Sequence, residues 1–208
     1  EMSRTELAMR ILSAEGKISM GRLKKGDLDT EGWTNLATLQ GRIDSAPLFI
    51  DDSPNMTLME IRAKCRRLKQ RNDLKLVVLD YLQLMSSGKK VESRQQEVSE
   101  FSRSLKLLAK ELDVPVIALS QLNRGSEQRT DKRPMVSDLR ESGSIEQDAD
   151  MVILLHREDM YNPDSERVGE ADMIIAKHRG GPTRTIPLAF SGKYSRFNNM
   201  ANEAPPQY

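Results

Sequence analysis

The chain has 208 residues, of which 38% are hydrophobic and 30% charged, a composition that suits one globular domain and excludes a largely disordered protein. Its 32 basic and 31 acidic residues give a formal net charge of +1. Any nucleic-acid binding must therefore come from local patches, and not from the field of the whole chain. No apolar run has the length of a membrane span, and the first ten residues lack the apolar core of a secretory signal. We therefore expect a cytoplasmic protein with no membrane partner.

The single cysteine, Cys65, excludes an internal disulfide and is typical of a reducing compartment. It falls on the apolar face of a predicted helix, so we expect a buried structural thiol. With two histidines and one cysteine in the chain, a dedicated zinc site is not expected.

The first predicted helix has a defined beginning. Ser3 and Glu6 have the spacing of a capping box, and Met2 and Leu7 can form the hydrophobic staple beside it. This helix should end near Gly16. A second helix is predicted within residues 25–46.

Strands and helices then alternate along the chain. A strand is predicted at 47–51, a helix beginning at Thr57 with Glu60 as its capping partner, and a strand at 76–80. A long helix follows, with apolar residues at three- and four-residue steps: Val98, Phe101, Leu105, Leu108 and Leu112. The next strand is predicted at 114–120. This alternation is typical of βαβ units and a parallel sheet.

The pattern changes after residue 120. We predict a polar loop at 121–136, a short helix at 144–148 and a strand at 151–155. Two apolar segments, 173–176 and 186–190, flank a Gly-rich turn and predict a hairpin at the sheet edge.

Asp80 is the first candidate for chemistry. It ends an apolar run, Leu76 to Leu79, whose composition predicts a strand buried on both faces of a parallel sheet. Such sheets bind ligands outside the carboxyl ends of their strands. This is the Walker B arrangement, in which the carboxylate holds the magnesium ion that bridges nucleotide phosphates. The alternative is an Asp that only caps a turn after a core strand.

The phosphate-binding loop that accompanies a Walker B strand does not occur in the 208 residues, since no G-x-x-x-x-G-K-[ST] motif is found. We expect these residues to be the later, N-terminally truncated part of a larger nucleotide-binding domain. A chosen boundary and an interrupting intein both remain open as reasons. We expect the chain on its own to be inactive.

Taken together, the motifs resemble those of the RecA-like C-terminal motor domain of the DnaB family of bacterial replicative DNA helicases. The matching segments follow the family order: EMSRTELAMRILS at 1–13, LVVLDYLQLM at 76–85, SRSLKLLAKELDVPVIALSQLNR at 102–124, DKRP at 131–134, DLRESGSIEQDAD at 138–150 and KHRGGPT at 177–183. The resemblance implies an α/β fold with a mostly parallel sheet, flanking helices and a C-terminal antiparallel hairpin. The motor domain would span 1–197, with a flexible tail at 198–208.

The resemblance also implies an activity and its partners. A homo-hexameric ring would use ATP and Mg²⁺ to translocate on single-stranded DNA and unwind duplex at the replication fork. Primase and a helicase loader would join it in a primosome, on the nucleoid during replication.

Three residues match the family's catalytic positions on the nucleotide side. Glu1 would polarise the attacking water, Asp80 would hold magnesium, and Gln121 would sense the γ-phosphate. Glu1 could equally be a frayed first residue, and Gln121 an ordinary polar residue at a strand end.

Lys177 and Arg179 lie two residues apart, so on a strand they point to the same face. In the family the matching pair reaches the nucleotide of the adjacent subunit, with Arg179 as the arginine finger. The alternative is a solvated basic turn. His178, on the opposite face, is assigned no role.

Residues 138–144 are the predicted DNA-contacting loop. Arg140 can bind a phosphate, and Gly143 lets the backbone approach one closely. The resemblance adds Glu141 and, in the preceding loop, Arg124. The loop has no stacking aromatic residue, so contact with the DNA backbone without base reading is expected. The alternative is a capped loop before the helix at 144–148.

A basic cluster covers one predicted helix: Arg62, Lys64, Arg66, Arg67, Lys69 and Arg71. A DNA groove is one interpretation, but we favour a solvated outer face because an apolar stripe alternates with the cluster.

Two other functions remain open. A recombinase-type or circadian-type ATPase would share the RecA-like core, although SGSIEQDAD followed by KHRGGPT resembles DnaB instead. A non-catalytic interaction fragment would explain the missing phosphate loop.

Overall fold

A computed structural model describes residues 2–85, 93–139 and 143–200. The chain separates into two compact units. Unit 1 holds the described residues up to Asp52, Arg157–Met173 and those from Ile186 onward. Unit 2 holds the described residues of Ser53–His156 and of Ile174–Thr185.

Unit 1 begins with three helices: α1 (Arg4–Gly16), α2 (Met20–Lys25) and α3 (Thr30–Asp44). Ser3 caps α1 by accepting a hydrogen bond from the Glu6 N–H at 3.2 Å, which is the Ser3 half of the predicted capping box. Ser13, Ile18 and Leu39 are buried where α1 packs on α2 and α3.

The helix predicted within 25–46 is confirmed as α3, whereas the short helix α2 before it was not predicted. Gly26 ends α2 in the left-handed region, at φ +67°, and a new helix begins after Asp29, whose carboxylate accepts from the Gly32 N–H at 2.8 Å. The strand predicted at 47–51, in contrast, is wrong. Residues 47–51 form no strand, and Leu48 and Phe49 are exposed.

Unit 2 is built around helix α5 (Arg94–Leu112), which packs against α4 (Leu58–Asn72) and α7 (Gly143–Asp148). Thr57 and Glu60 form the predicted capping box at the beginning of α4. Cys65 is buried as expected, and burial raises the pKa of its thiol. The predicted apolar face of α5 forms the middle of the core: Val98, Phe101, Leu105, Leu108 and Leu112.

Strands β1 (Val77–Leu79) and β2 (Val116–Ala118) pair in parallel, with Val77 opposite Val116 and Leu79 opposite Ala118. This confirms the parallel sheet. A short helix, α6 (Gly125–Gln128), lies in the segment after β2.

The prediction that strand β1 is buried on both faces is wrong for this chain. Val77 is 8% exposed, whereas Val78 is 56% exposed and Ile117 of β2 is 52% exposed. Successive side chains of a strand point to opposite faces, so one face of this sheet lies on the core and no described element covers the other.

The second sheet has four strands in the order β3 (Met151–His156), β4 (Glu170–His178), β5 (Arg184–Ser191) and β6 (Arg196–Asn199). Strands β5 and β6 are antiparallel, with Phe190 opposite Phe197. The two segments of the predicted hairpin lie in β4 and β5, which are neighbours in this sheet, as expected. Strand β3 alternates like β1, since Val152 and Leu154 are buried while Ile153 and Leu155 are exposed.

Within the described ranges, no helix combines the length and the apolarity that a membrane crossing requires.

Candidate nucleotide and DNA site

Asp80 and Gln121 come to the same edge of the sheet because β1 and β2 are parallel neighbours. Their pairing continues past the ends of the strands. The Leu119 N–H donates to the Leu79 carbonyl at 2.9 Å, and the Leu82 N–H donates to the Leu119 carbonyl at 2.9 Å. Two of the predicted nucleotide residues thus follow adjacent strands at their carboxyl ends, where α/β sheets bind ligands.

The carboxylate of Asp80 is exposed and has no ion-pair or hydrogen-bond partner within the described part of the chain. A magnesium ion in a nucleotide site is commonly held by one or two carboxylates together with waters and phosphate oxygens. The free carboxylate of Asp80 fits that requirement. No cluster of three or more His, Cys, Asp or Glu residues suited to a metal is present among the described residues.

The side chain of Gln83 joins the two strand ends. It lies in a short 3-10 turn, Leu82–Leu84, directly after Asp80 and Tyr81. Its amide nitrogen donates to the Ser120 hydroxyl at 2.9 Å, and its amide oxygen accepts from the Gln121 N–H at 3.2 Å.

Lys177 and Arg179 meet at the C-terminal end of α7. The Lys177 ammonium donates to the carbonyls of Glu146 and Gln147, and the Arg179 guanidinium donates to the Gln147 carbonyl at 2.8 Å. The last carbonyls of a helix lack intrahelical partners and carry partial negative charge, so cations stabilise this end. The two residues therefore lie together, and the Arg179 side chain stays 55% exposed.

Asp150 adds to this arrangement. Its carbonyl accepts from the Arg179 N–H at 2.9 Å, and its carboxylate forms ion pairs with Lys106 and, at 3.5 Å, with Arg179. The hydrogen bond from Lys106 is the main cause that holds the pKa of Asp150 below its ordinary value, and the charges of Arg179 and Lys177 act in the same direction. Lys177, Arg179 and Asp150 thus form one group of charged side chains near the C-terminal end of α7.

A buried carboxylate holds the described segment 119–139, which follows β2. Asp138 is 4% exposed and accepts two hydrogen bonds from the Arg129 guanidinium, at 2.7 and 2.6 Å. It also accepts from the Met135 N–H at 2.8 Å. The Arg129 hydrogen bonds are the main cause of a lowered pKa at Asp138. An antiparallel bridge between Leu122 and Leu139 closes the base of the loop.

Of the predicted DNA residues, Arg124 and Gly143 are described by the structure. Arg124 is exposed at the beginning of α6, and its side chain has no partner within the described ranges. Gly143 is the first residue of α7 and is exposed; a Cβ atom added there would meet no described residue within 4 Å. Arg140, Glu141 and the predicted catalytic residue Glu1 lie outside the described residues.

The basic cluster on α4 is partly engaged by its own chain. Arg62 and Arg66 both pair with Glu111 of α5, and Lys69 pairs with Asp73 at 3.6 Å. Hydrogen bonds from Arg66 and then Arg62 hold the pKa of Glu111 below its ordinary value. These contacts agree with the interpretation of a solvated outer face.

Two residues of the site were not found from the sequence. Gln83 contacts Ser120, 37 positions away, and Asp150 contacts Lys106, 44 positions away. Nothing in the local spacing marks such contacts.

The comparisons with known proteins agree with this geometry. Residues 1–199 match the family model described as the DnaB-like helicase C terminal domain. The replicative DNA helicase DnaB of Leifsonia xyli subsp. xyli is 70% identical over 201 residues, which cover 97% of this chain and 44% of that protein. The DnaB of Geobacillus stearothermophilus is 56% identical, with 96% of this chain and 44% of that protein covered. The chain thus spans less than half the length of these relatives.

Two solved structures are similar to the fold. One, described as an ATPase domain, has a TM-score of 0.92 and 43% identity, over 96% of this chain and 72% of that one. A DnaB-like replicative helicase, solved in a study that includes its interactions with primase, has the same TM-score and identity, over 96% of this chain and 50% of that one. They confirm the fold class expected from the motifs. By its sequence and by its fold, the chain belongs to the family of DnaB-like helicase C-terminal domains.

Proposed function

We propose that this chain is the motor part of a homo-hexameric ring that hydrolyses ATP at subunit interfaces, translocates on single-stranded DNA and unwinds duplex at the replication fork. The relatives that cover it are named replicative DNA helicases. Because the chain spans less than half of their length, this activity belongs to the longer protein. The 208 residues alone, which carry no phosphate-binding loop motif, are proposed to be inactive.

One observation carries the proposal that the site is shared between subunits. Asp80 and Gln121 follow adjacent strands at one sheet edge, while the predicted finger residues Lys177 and Arg179 contact the end of α7 in their own chain. No described contact joins Asp80 to the two cations. This arrangement favours a site in which the cations that act beside Asp80 come from a neighbouring subunit.

The roles follow from the chemistry of each side chain. Asp80 would hold Mg²⁺, which when bound neutralises charge on the nucleotide phosphates. Glu1 would accept a proton from the attacking water, and Gln121 would hydrogen-bond to the γ-phosphate. Arg179, with Lys177, would stabilise the negative charge that develops on the phosphoryl group of the adjacent subunit.

The DNA contacts are proposed to be phosphate contacts. Arg140 and Arg124 would supply cations, and the backbone at Gly143 could approach a phosphate closely because no described residue fills the space where a Cβ atom would stand. Glu141 would act through its main-chain amide or by orienting Arg140. Primase and a loader are proposed as partners of the longer protein, which would work in the cytoplasm on the nucleoid.

Mixed rings of the longer protein test the proposal. Asp80→Ala and Arg179→Ala variants should each lose hydrolysis stimulated by single-stranded DNA. Mixing the two should restore activity, because an interface can combine an intact Asp80 from one protomer with an intact Arg179 from its neighbour. Random mixing gives such interfaces at roughly one in four positions of a head-to-tail ring.

Arg67→Ala is the matched control, since Arg67 is exposed on α4 and has no partner within the described ranges. That variant should behave as the wild type. Full activity of an unassembled Arg179→Ala protomer, or no recovery on mixing two inactive variants, would overturn the shared site.

A further inference from the structure

The side chain of Gln83 links the segment that carries Asp80 to the segment that carries Gln121. It lies three residues after Asp80, in the short turn that follows the carboxyl end of β1. Its side chain contacts two groups just after the end of β2, the Ser120 hydroxyl and the Gln121 N–H. The two contacts use both polar atoms of the amide.

The orientation of this amide follows from its partners. A backbone N–H can only donate, so the Gln83 atom that lies 3.2 Å from the Gln121 nitrogen must be the side-chain amide oxygen, Oε1. The amide nitrogen is thereby turned toward the Ser120 hydroxyl, which accepts at 2.9 Å. A side chain with two directed contacts of this kind sets the position of the Gln121 backbone relative to the β1 turn.

Helix α5 and the core fix the position of the turn that carries Gln83. Arg94 at the beginning of α5 donates to the Gln83 carbonyl at 2.7 Å and to the Met85 carbonyl at 3.0 Å. Its guanidinium pairs with the buried carboxylate of Glu97 and lies 5.8 Å from the centre of the Phe101 ring. Leu82, beside Gln83, is 2% exposed in the core. The backbone at Gln83 is therefore held in place, and the side-chain amide extends from it toward Ser120 and Gln121.

We propose that Gln83 is a positioning residue for ATP hydrolysis, which acts through Gln121 by fixing the end of β2 relative to Asp80. This inference rests on the proposed function, in which Asp80 serves the magnesium ion and Gln121 the γ-phosphate. The exposed side chains of Asp80 and Gln121 would then address one nucleotide with a spacing set by the Gln83 amide.

The test uses the complete protein with its phosphate loop and measures ATP hydrolysis on single-stranded DNA. Gln83→Met keeps the length of the side chain but removes both hydrogen bonds. We expect kcat to fall by between about 10- and 100-fold, the range that small misplacements of a reacting group produce. The KM for ATP and the midpoint of thermal unfolding should change little. Gln70→Met, at an exposed position of α4, is the matched control and should behave as the wild type.

A double-mutant cycle separates positioning from a general structural effect. If Gln83 acts through Gln121, the double variant of Gln83→Met with Gln121→Ala should be no slower than Gln121→Ala alone. Gln83→Glu should recover part of kcat, because a carboxylate can accept from both the Gln121 N–H and the Ser120 hydroxyl. Effects that multiply in the double variant would overturn the inference, as would a wild-type kcat for Gln83→Met.

Asp80→Ala, measured in parallel, keeps the two proposals apart. If Asp80→Ala abolishes hydrolysis and Gln83→Met leaves it unchanged, only the positioning role fails. If hydrolysis survives Asp80→Ala, the proposed function of the site fails.

Discussion

Gly143 illustrates what a single residue contributes at the proposed DNA surface. It begins α7 next to three residues that the structure does not describe, and among the described residues nothing lies within 4 Å of the place where a Cβ atom would stand. The packing of the described residues therefore does not require glycine at this position. A requirement that comes from DNA can be measured separately from one that comes from folding.

We predict that Gly143→Ala weakens binding of single-stranded DNA by the longer protein while its stability stays the same or rises by up to about 1 kcal/mol, since alanine is the better helix former. Fluorescence anisotropy with labelled DNA and urea unfolding measure the two effects. Gly21→Ala in α2, also in open space, is the control and should leave DNA binding unchanged. Unaltered affinity in Gly143→Ala would contradict a close backbone contact there.

At the scale of the element, the loop between β2 and α7 depends on the pair of Asp138 and Arg129. The buried carboxylate accepts two guanidinium hydrogen bonds and one from the backbone, so the loop has an internal anchor between the proposed nucleotide residue Gln121 and the proposed DNA loop. Its lowered pKa gives this anchor a pH dependence of known sign.

Asp138 is more acidic in the folded chain than in the unfolded chain, so its stabilising contribution is complete above the unfolded pKa, about 3.9, and is lost as the pH falls through the folded pKa. Asp138→Asn should therefore lower the free energy of unfolding most at neutral pH, and less below about pH 4. Urea unfolding of both proteins across this range measures the difference. Asp44→Asn, exposed at the end of α3, is the control. A difference that stays constant with pH would contradict this role.

The two faces of strand β3 make a second prediction at this scale. Val152 is 6% exposed and Ile153 is 48% exposed. In the 208-residue chain, Val152→Ala should lower the free energy of unfolding by about 2 kcal/mol, because a buried side chain is truncated. Ile153→Ala should change it by less than about 0.5 kcal/mol.

The same pair of variants in the longer protein reports on the exposed face of β3. A contiguous apolar surface of a soluble protein generally marks a place that another segment or a partner covers. If further residues of the longer protein cover this face, Ile153→Ala should cost more than about 1 kcal/mol there. Equal small costs in both proteins would show that the face stays open.

For the whole molecule, a net charge of +1 gives little general attraction to nucleic acid, so affinity must come from particular cations. Arg124 is an exposed arginine with no partner within the described ranges. Arg62 and Arg66, in contrast, are both paired with Glu111. The proposed assignment of phosphate contacts follows this difference.

We predict that Arg124→Ala weakens single-stranded DNA binding of the longer protein at every sequence and lowers the slope of log K against log salt by about 0.7, the value for one phosphate contact on a single strand. Titrations at several salt concentrations measure the slope. Arg67→Ala serves as the control on α4. An unchanged slope in Arg124→Ala would remove Arg124 from the interface.

The sequence by itself determined most of the helices, the parallel pairing of β1 and β2, the antiparallel C-terminal segment and the family. Apolar periodicity, capping residues such as Thr57 with Glu60, and motifs in order along the chain are local signals that short segments express on their own. It failed at 47–51, an apolar segment that forms no strand, and it did not indicate the short helix α2, which ends at Gly26. The roles of Glu1, Asp80, Gln121, Lys177, Arg179 and the DNA residues stay predictions.

Only the tertiary structure decided which side chains meet. Gln83 lies 37 positions from Ser120, and Lys106 lies 44 positions from Asp150. The contact of Lys177 and Arg179 with the end of α7 likewise requires β4 and α7 to be placed together. Hydrogen bonds and ion pairs depend on distances of a few ångströms, which spacing along the chain does not specify. For this reason the motifs indicated a nucleotide-driven motor, whereas the folded chain revealed the Gln83 amide that joins its two strand ends.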